Sequence, residues 1–237
     1  MMLRIHRLGT LGYSETTPQQ VALKDAVRRQ RPEDDFLIFV EHTPVITLGR
    51  GWKGGNLLLS PEKYVELGFE VHHVSRGGDV TYHGPGQLVA YPVFDLIRHG
   101  RDIHKFLENI EETAIHVLAT YGLNAGRKEG MTGAWVGNSK VCAIGVAISG
   151  WVSYHGLAFN INPNLNHFGL IIPCGITDYP VASLATLLER APATDEVEAK
   201  FIEAFKEVFG FTDSKVKDDS KTGRLSCLDE EGNLSLY

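Results

Sequence analysis

Apolar positions along the chain fall mostly into short runs, with a few longer stretches at helical spacing between them. Residues 3–9 read as a first strand. Phe36-Leu-Ile-Phe-Val40 has the length and continuity of a buried strand, and Val45-Ile-Thr-Leu48 follows it after His42-Thr43-Pro44. Glu70 to Ser75 and Leu88 to Phe94 read as two more strands. Trp135-Val136, Lys140 to Ser149 and Tyr154 to Ile161 then come as consecutive strands, with Gly137-Asn138 as a hairpin signal between the first two. The run Val141 to Ile148 is apolar on both faces, which marks a central strand.

The clearest helix is Asp102 to Tyr121. Ile103, Phe106, Leu107, Ile110, Ala114, Val117, Leu118 and Tyr121 share one face. Thr17 to Arg29 is a second, with Thr17-Pro18 as cap and first helical position. Ser60-Pro61-Glu62 opens a short helix ending near Gly68. Val181 to Leu188 and Thr194 to Phe209 also read as helical, Thr194 serving as the cap ahead of Asp195 and Glu196. Asn162 to Gly175 reads as an ordered loop. From Thr212 the chain turns polar. The expectation is one globular domain over 1–211 and a mobile C-terminal tail over 212–237, with Leu234 to Tyr237 a candidate to dock. Strands come in runs rather than in strict alternation with helices. That predicts an α+β fold, with a mixed, mainly antiparallel sheet and flanking helices.

One stretch breaks the pattern. Arg76-Gly77-Gly78-Asp79-Val80-Thr81-Tyr82-His83-Gly84-Pro85-Gly86-Gln87 mixes glycine with charged, aromatic and imidazole side chains just ahead of a strand. Glycine pairs allow close backbone approach, and His-Gly-Pro-Gly demands tight turns. The stretch reads as a binding loop between strands.

Composition narrows the class. The 237 residues are 43% hydrophobic and 22% charged, ordinary for a globular chain with a real core. A formal charge of −6 argues against a general nucleic-acid binder, though not against a local basic patch. The amino terminus has no apolar signal core and no run has the length of a membrane span, so a cytoplasmic enzyme is expected. Cys142, Cys174 and Cys227 are too far apart for a zinc cluster, and neither a metal nor a cofactor is expected.

Of the three cysteines, Cys142 lies inside an apolar strand and reads as a small core residue, and Cys227 falls in the polar tail. Cys174 differs: Pro173 precedes it and Gly175 follows, a turn that exposes sulfur and brings oxyanion-stabilising N–H groups near it. It is a nucleophile or another structural thiol. A nucleophilic thiol needs a base or a cationic neighbour. One of the ten histidines or Lys140 would serve. A lysine at the start of a central strand either reaches out to water or is desolvated enough to act as a base, and the sequence leaves both open.

Taken together, Arg76 to Pro92, Lys140-Val-Cys-Ala-Ile-Gly-Val146, His155-Gly-Leu-Ala-Phe-Asn-Ile161 and Ile172-Pro-Cys-Gly-Ile176 resemble the octanoyltransferases of lipoate biosynthesis. Glu41 to Arg50 agrees as well, and the match runs from about Phe36 to Leu188. Cys142, the loop Gly51 to Asn56 and Asp178-Tyr179-Pro180 depart from it. The resemblance implies a fold like the catalytic domain of biotin and lipoate protein ligases. It implies transfer of an octanoyl group from acyl carrier protein to a lysine of lipoyl domains, those of 2-oxoacid dehydrogenases and glycine cleavage proteins, as the first step of lipoate synthesis. By the same resemblance Cys174 carries the acyl thioester and Lys140 activates it. Substrate contacts fall on Arg76, Gly77, Gly78, Asp79, Val80, Thr81, Tyr82 and His83, on Ala143, Ile144 and Gly145, and on Gly156, Leu157 and Ala158.

An oxyanion site is expected from N–H groups at Gly77-Gly78 or beside Cys174. An acyl slot is expected where Ala143, Gly145, Gly156 and Ala158 leave room, each buried methylene stabilising binding by ~0.8 kcal/mol. A basic rim of Arg50, Lys53 and Arg76 would meet acidic partners. The competing readings are an ATP-dependent lipoate or biotin ligase, which forms an acyl-adenylate without Cys174, a non-catalytic acyl-binding protein, and a thioesterase that uses water as acceptor.

Overall fold

The computed structural model describes residues 1–172 and 179–235. Its strands are β1 (Met2–Leu11), β2 (Asp35–His42), β3 (Val45–Leu48), β4 (Glu70–His73), β5 (Val80–His83), β6 (Gln87–Val93), β7 (Ala125–Lys128), β8 (Met131–Val136), β9 (Ser139–Ser149), β10 (Val152–Asn160) and β11 (Asp213–Asp218). Its α-helices are α1 (Tyr13–Gln30), α2 (Pro61–Glu66), α3 (Ile103–Ala119), α4 (Leu184–Leu188) and α5 (Thr194–Phe209), and a 3-10 helix spans Leu165–Leu170.

The large sheet has eight strands in the order β11-β1-β2-β6-β10-β9-β8-β7. β1 pairs in parallel with β2 and β11, and the remaining neighbours are antiparallel, so the sheet is mixed and mainly antiparallel. A second sheet has the order β4-β3-β5. Between its polar ends β2 is apolar from Phe36 to Val40 because that stretch is covered on both faces. Leu37 and Phe39 join the core under α3 and α5, while Phe36, Ile38 and Val40 join the core under Leu23 and Val27 of α1. The small sheet closes a third core with Tyr64 of α2 and Phe168 of the 3-10 helix. No helix among the described residues is long and apolar enough to cross a membrane.

α3 follows its apolar stripe, and the Asp102 carboxylate accepts from Lys105 N–H at 3.0 Å to cap it. α1 corrects the reading from Thr17-Pro18. Its first helical residue is Tyr13, five positions before Pro18, the Glu15 carboxylate accepts from Gly12 N–H at 3.1 Å, and Pro18 lies inside the helix. α5 is capped at Ala193, so Thr194 is its first helical residue. Of the stretch 181–188 only Leu184–Leu188 is helical: Val181 instead bridges Lys140 in parallel. The expected loop after Asn162 contains the 3-10 turn.

Over its described residues, 213–235, the polar stretch after Thr212 packs on the rest of the chain. β11 lies beside β1 from Met2↔Asp213 to Arg7↔Asp218, and Leu225 and Cys227 are buried against the α1 side of the sheet. Strand pairing and two apolar anchors outweigh the charge of this segment. Leu234 packs on the same core, while Leu236 and Tyr237 lie outside the described residues.

The glycine-rich stretch is only half loop, since Val80–His83 forms β5, paired antiparallel with β3. Gly84-Pro85-Gly86-Gln87 then turns the chain from the small sheet into the large one. Gln87 N–H donates to Gly84 O at 3.1 Å and Gly86 has φ +83°, the geometry of a type II turn with proline at its second position.

Candidate active site

The loop Arg76–Gly78 lies across β9, where Gly77 N–H donates to Val146 O at 2.9 Å. That bond uses the Gly77 donor, so it is not available to an oxyanion. The loop Gly49–Trp52 packs on the same turn from the other side through Arg50 N–H to Arg76 O at 3.0 Å and Gly51 N–H to Gly78 O at 2.9 Å. Below them β6, β9 and β10 wall a cavity of about 420 Å³.

Arg76, Gly77, Gly78, Thr81, His83, Lys140, Ala143, Ile144, Gly145, Gly156, Leu157 and Ala158 all line it. Asp79, Val80 and Tyr82 do not. Val80 and Tyr82 point into the small-sheet core because strand β5 alternates its faces, and Asp79 accepts a short bond from the Asn56 amide. Cys174 lies outside the described residues.

Two glycines serve backbone contact rather than ligand space. A side chain at Gly156 would meet Ala90 O at 2.1 Å, and one at Gly145 would meet Gly77 O at 2.9 Å. They let β6 and the Arg76 loop approach; the room in the slot comes from Ala143 and Ala158. Val89, Leu107, Met131, Ile144, Val146 and Leu157 make its lining apolar.

Lys140 is half-buried near the start of β9. Its Nζ donates to Thr132 O at 3.2 Å and lies 4.8 Å from the centre of the Trp135 ring. Its peptide is clasped on both sides, since Lys140 N–H donates to Pro180 O at 3.0 Å and Ala182 N–H donates to Lys140 O at 2.9 Å. Arg76, expected on an outer rim, is buried. Its Nη2 donates to Thr47 O and Oγ1, each at 2.8 Å. Arg50 and Lys53 are exposed.

A group of rings packs around Arg76 that sequence reading largely missed: Tyr13, His42, Tyr91 and His155 beside His83. Tyr13 stacks on His83 with centroids 6.4 Å apart, and His42 Nε2 is 2.7 Å from the Tyr91 hydroxyl. Burial holds the imidazoles neutral: it lowers His42 to about 4, His83 to about 3 with help from neighbouring His42, and His155 to about 3 with help from Arg76 and Arg50. Burial likewise raises the Tyr13 hydroxyl to about 12. Tyr13 and His155 also border a second hollow, of about 520 Å³, between α1 and the end of β4. Cys142 is fully buried in the main core, and burial pushes its thiol well up, as suits a structural side chain. Among the described residues no group of three or more His, Cys, Asp and Glu side chains is arranged to hold a metal ion.

An apolar slot walled by β6, β9 and β10, bordered by neutral rings and, among the described residues, by the Lys140 amine, has the make-up of a site for a chain-like apolar group. The lipoyl protein ligase A/B catalytic domain family matches residues 17–206. An octanoyltransferase of Caldicellulosiruptor saccharolyticus is 49% identical over 179 residues, 75% of this chain and 76% of that protein. One from Chloroflexus aurantiacus is 46% identical over 211 residues, 87% and 94% of the two chains. Among solved structures, a bipartite lipoate protein ligase of Thermoplasma acidophilum, studied with its E2 lipoyl domain, shares the fold with TM-score 0.73 at 18% identity, covering 94% of this chain and 90% of its own. The chain belongs to the lipoyl protein ligase A/B catalytic domain family and, within it, to the octanoyltransferases; it is an acyltransferase.

Proposed function

We propose that this acyltransferase moves an octanoyl group from the thioester of an acyl carrier protein to a lysine of a lipoyl domain, by way of a thioester on Cys174. The observation that carries the reading is the apolar slot with Lys140 in its wall. Lys140, acting as the base, takes the Cys174 proton. The thiolate attacks the octanoyl carbonyl, the carrier's thiolate leaves, and the Lys140 ammonium returns the proton to it. The acceptor amine then attacks the enzyme thioester, and its surplus proton passes through Lys140 to the departing Cys174 sulfur. A thioester replaces a thioester in the first half, so no nucleotide is needed.

The pairing of Cys174 with Lys140 is supported by the chain that follows the cysteine, because Pro180 and Ala182 are fastened to the Lys140 peptide. The finer partners, lipoyl domains of 2-oxoacid dehydrogenases and of glycine cleavage proteins, are part of the proposal. For docking acidic carriers the rim reduces to Arg50 and Lys53, since Arg76 is buried. The test is transfer to a lipoyl domain without ATP. Octanoyl carrier protein should support turnover, and free octanoate with ATP should not. Turnover only with free octanoate and ATP, with release of pyrophosphate, would make the protein a ligase instead.

A further inference from the structure

We infer that His83 is a fixed hydrogen-bond acceptor for the amine of the acceptor lysine, its tautomer set by a relay that starts at a backbone carbonyl. This rests on the acyl-enzyme reading above.

The relay has one consistent orientation. Ala182 O can only accept, so the end of the Asn160 amide 3.0 Å from it is the Nδ2 donor. Asn160 Oδ1 therefore faces Gln87, which donates Nε2 to it at 2.9 Å. The same Gln87 nitrogen lies 3.4 Å from Tyr82 O, a second group that only accepts, and this demands the same orientation. Gln87 Oε1 is then left facing His83 Nδ1 at 2.7 Å, so Nδ1 carries the proton and donates it. His83 Nε2 carries a lone pair. Asn160, Gln87 and His83 are all buried, so water does not compete for these bonds. The relay is also tied to the reacting strand, because Ala182 N–H donates to Lys140 O at 2.9 Å.

The ring lines the cavity and lies parallel to Tyr13, 2° between their planes with centroids 6.4 Å apart. A lone pair there recognises a donor. The octanoyl chain has none, and the thioester carbonyl only accepts. The attacking amine has N–H bonds to give, and a bond from one of them to Nε2 turns the nitrogen lone pair toward the thioester. No proton is transferred to His83; Gln87 and Asn160 are positioning residues that keep its acceptor side bare.

The experiment separates the two half-reactions by intact-mass kinetics. The enzyme is loaded with octanoyl carrier protein, then chased with a lipoyl domain. His83→Phe keeps the ring and removes the acceptor. The transfer half should slow about tenfold more than the loading half, the equivalent of one hydrogen bond. His83→Gln, whose amide reaches the place of Nε2, should recover part of the loss. Nitrogen-15 NMR of the enzyme should show His83 protonated at Nδ1 alone, and Gln87→Leu should let the other tautomer appear. Equal slowing of both halves, a transfer half like wild type, a loss confined to loading (which would assign Nε2 to an amide of the donor's arm), or a proton on Nε2 would each overturn the inference. If the wild-type enzyme never loads, the covalent reading fails. The dependence of turnover on lipoyl-domain concentration in His83→Phe then decides the role of His83.

Discussion

β2 ends in two buried polar clusters of opposite kinds. At its start Asp35 accepts from Asp95 N–H at 2.9 Å, from His99 Nε2 at 2.7 Å and from the Arg98 guanidinium, while Arg31 reaches Asp95 at 2.6 Å. Each carboxylate there meets a cation. At its end His42 accepts from the Tyr91 hydroxyl at 2.7 Å and donates to Leu11 O at 3.0 Å, and the nearby His83 and His155 bond to Gln87 and to Ser75 Oγ. Those partners are uncharged. The first cluster uses its bonding capacity to pin β2 to the turn after β6. The second keeps neutral rings beside a cavity, where a lone pair is left for a ligand. Opposite charges in contact mark a joint of the fold; desolvated neutral imidazoles mark a site.

The largest effect should come from breaking the charged joint. Asp35→Ala takes the carboxylate partner from His99 and leaves Arg98 with Asp95, at 3.4 Å, as its remaining carboxylate, and should lower unfolding free energy by about 3 kcal/mol, the low end of the cost of removing one partner from a buried pair. Denaturant titration checks this, and transfer per folded molecule should stay near wild type because Asp35 does not line the cavity. The neutral cluster should respond to acid instead. His42, His83 and His155 have folded values below their ordinary 6.5, so the unfolded chain takes up their protons first. Their contribution to stability is complete above about pH 6.5 and is lost as pH falls toward about 4 and 3, at up to about 1.4 kcal/mol per pH unit for each ring. Urea midpoints that stay level from pH 7 to 4.5 would contradict the neutral assignment.

Smaller effects sharpen the picture of the slot. Ala143→Leu should shift preference toward donors shorter than octanoyl by about 1–3 kcal/mol per methylene excluded, read as a ratio of kcat/KM values across chain lengths. Gly156→Val is no substitute for it, since its side chain meets the Ala90 carbonyl and would disturb the sheet for every donor alike. The smallest effect should be at the rim. Lys53→Glu should slow use of carrier protein a few-fold, roughly, at low salt, with the difference fading as salt screens it.

Continuous apolar runs were enough to find β2, β3 and β9, and a long stripe at helical spacing was enough to find α3. It missed β7 and β11, whose segments Ala-Gly-Arg-Lys and Asp-Ser-Lys-Val-Lys-Asp pair at the two edges of the large sheet, with little apolar surface to bury. At the site, Lys140, Ala143 and the Arg76 loop were legible from motifs read in order. Tyr13 was not, because Thr17-Pro18 is the stronger local start signal and the earlier turn of α1 is fixed by Glu15 reaching back to Gly12. The burial of Arg76 and the relay from Ala182 to His83 join segments far apart in the chain, and no local pattern announces such bonds. Gly156 was legible as a small residue, but its reason, the Ala90 carbonyl on the neighbouring strand, belongs to the register of β6 and β10.

Mass analysis of the enzyme mixed with octanoyl carrier protein, in the absence of nucleotide, tests the central claim most directly. Wild type should gain a single octanoyl group, and peptide mapping should find it on Cys174. Cys174→Ala should gain none, and Lys140→Ala should load slower by about 10²–10⁴-fold near neutral pH, the range for loss of a general base. An adduct on any other residue, or Lys140→Ala loading like wild type across the pH range, would contradict the account.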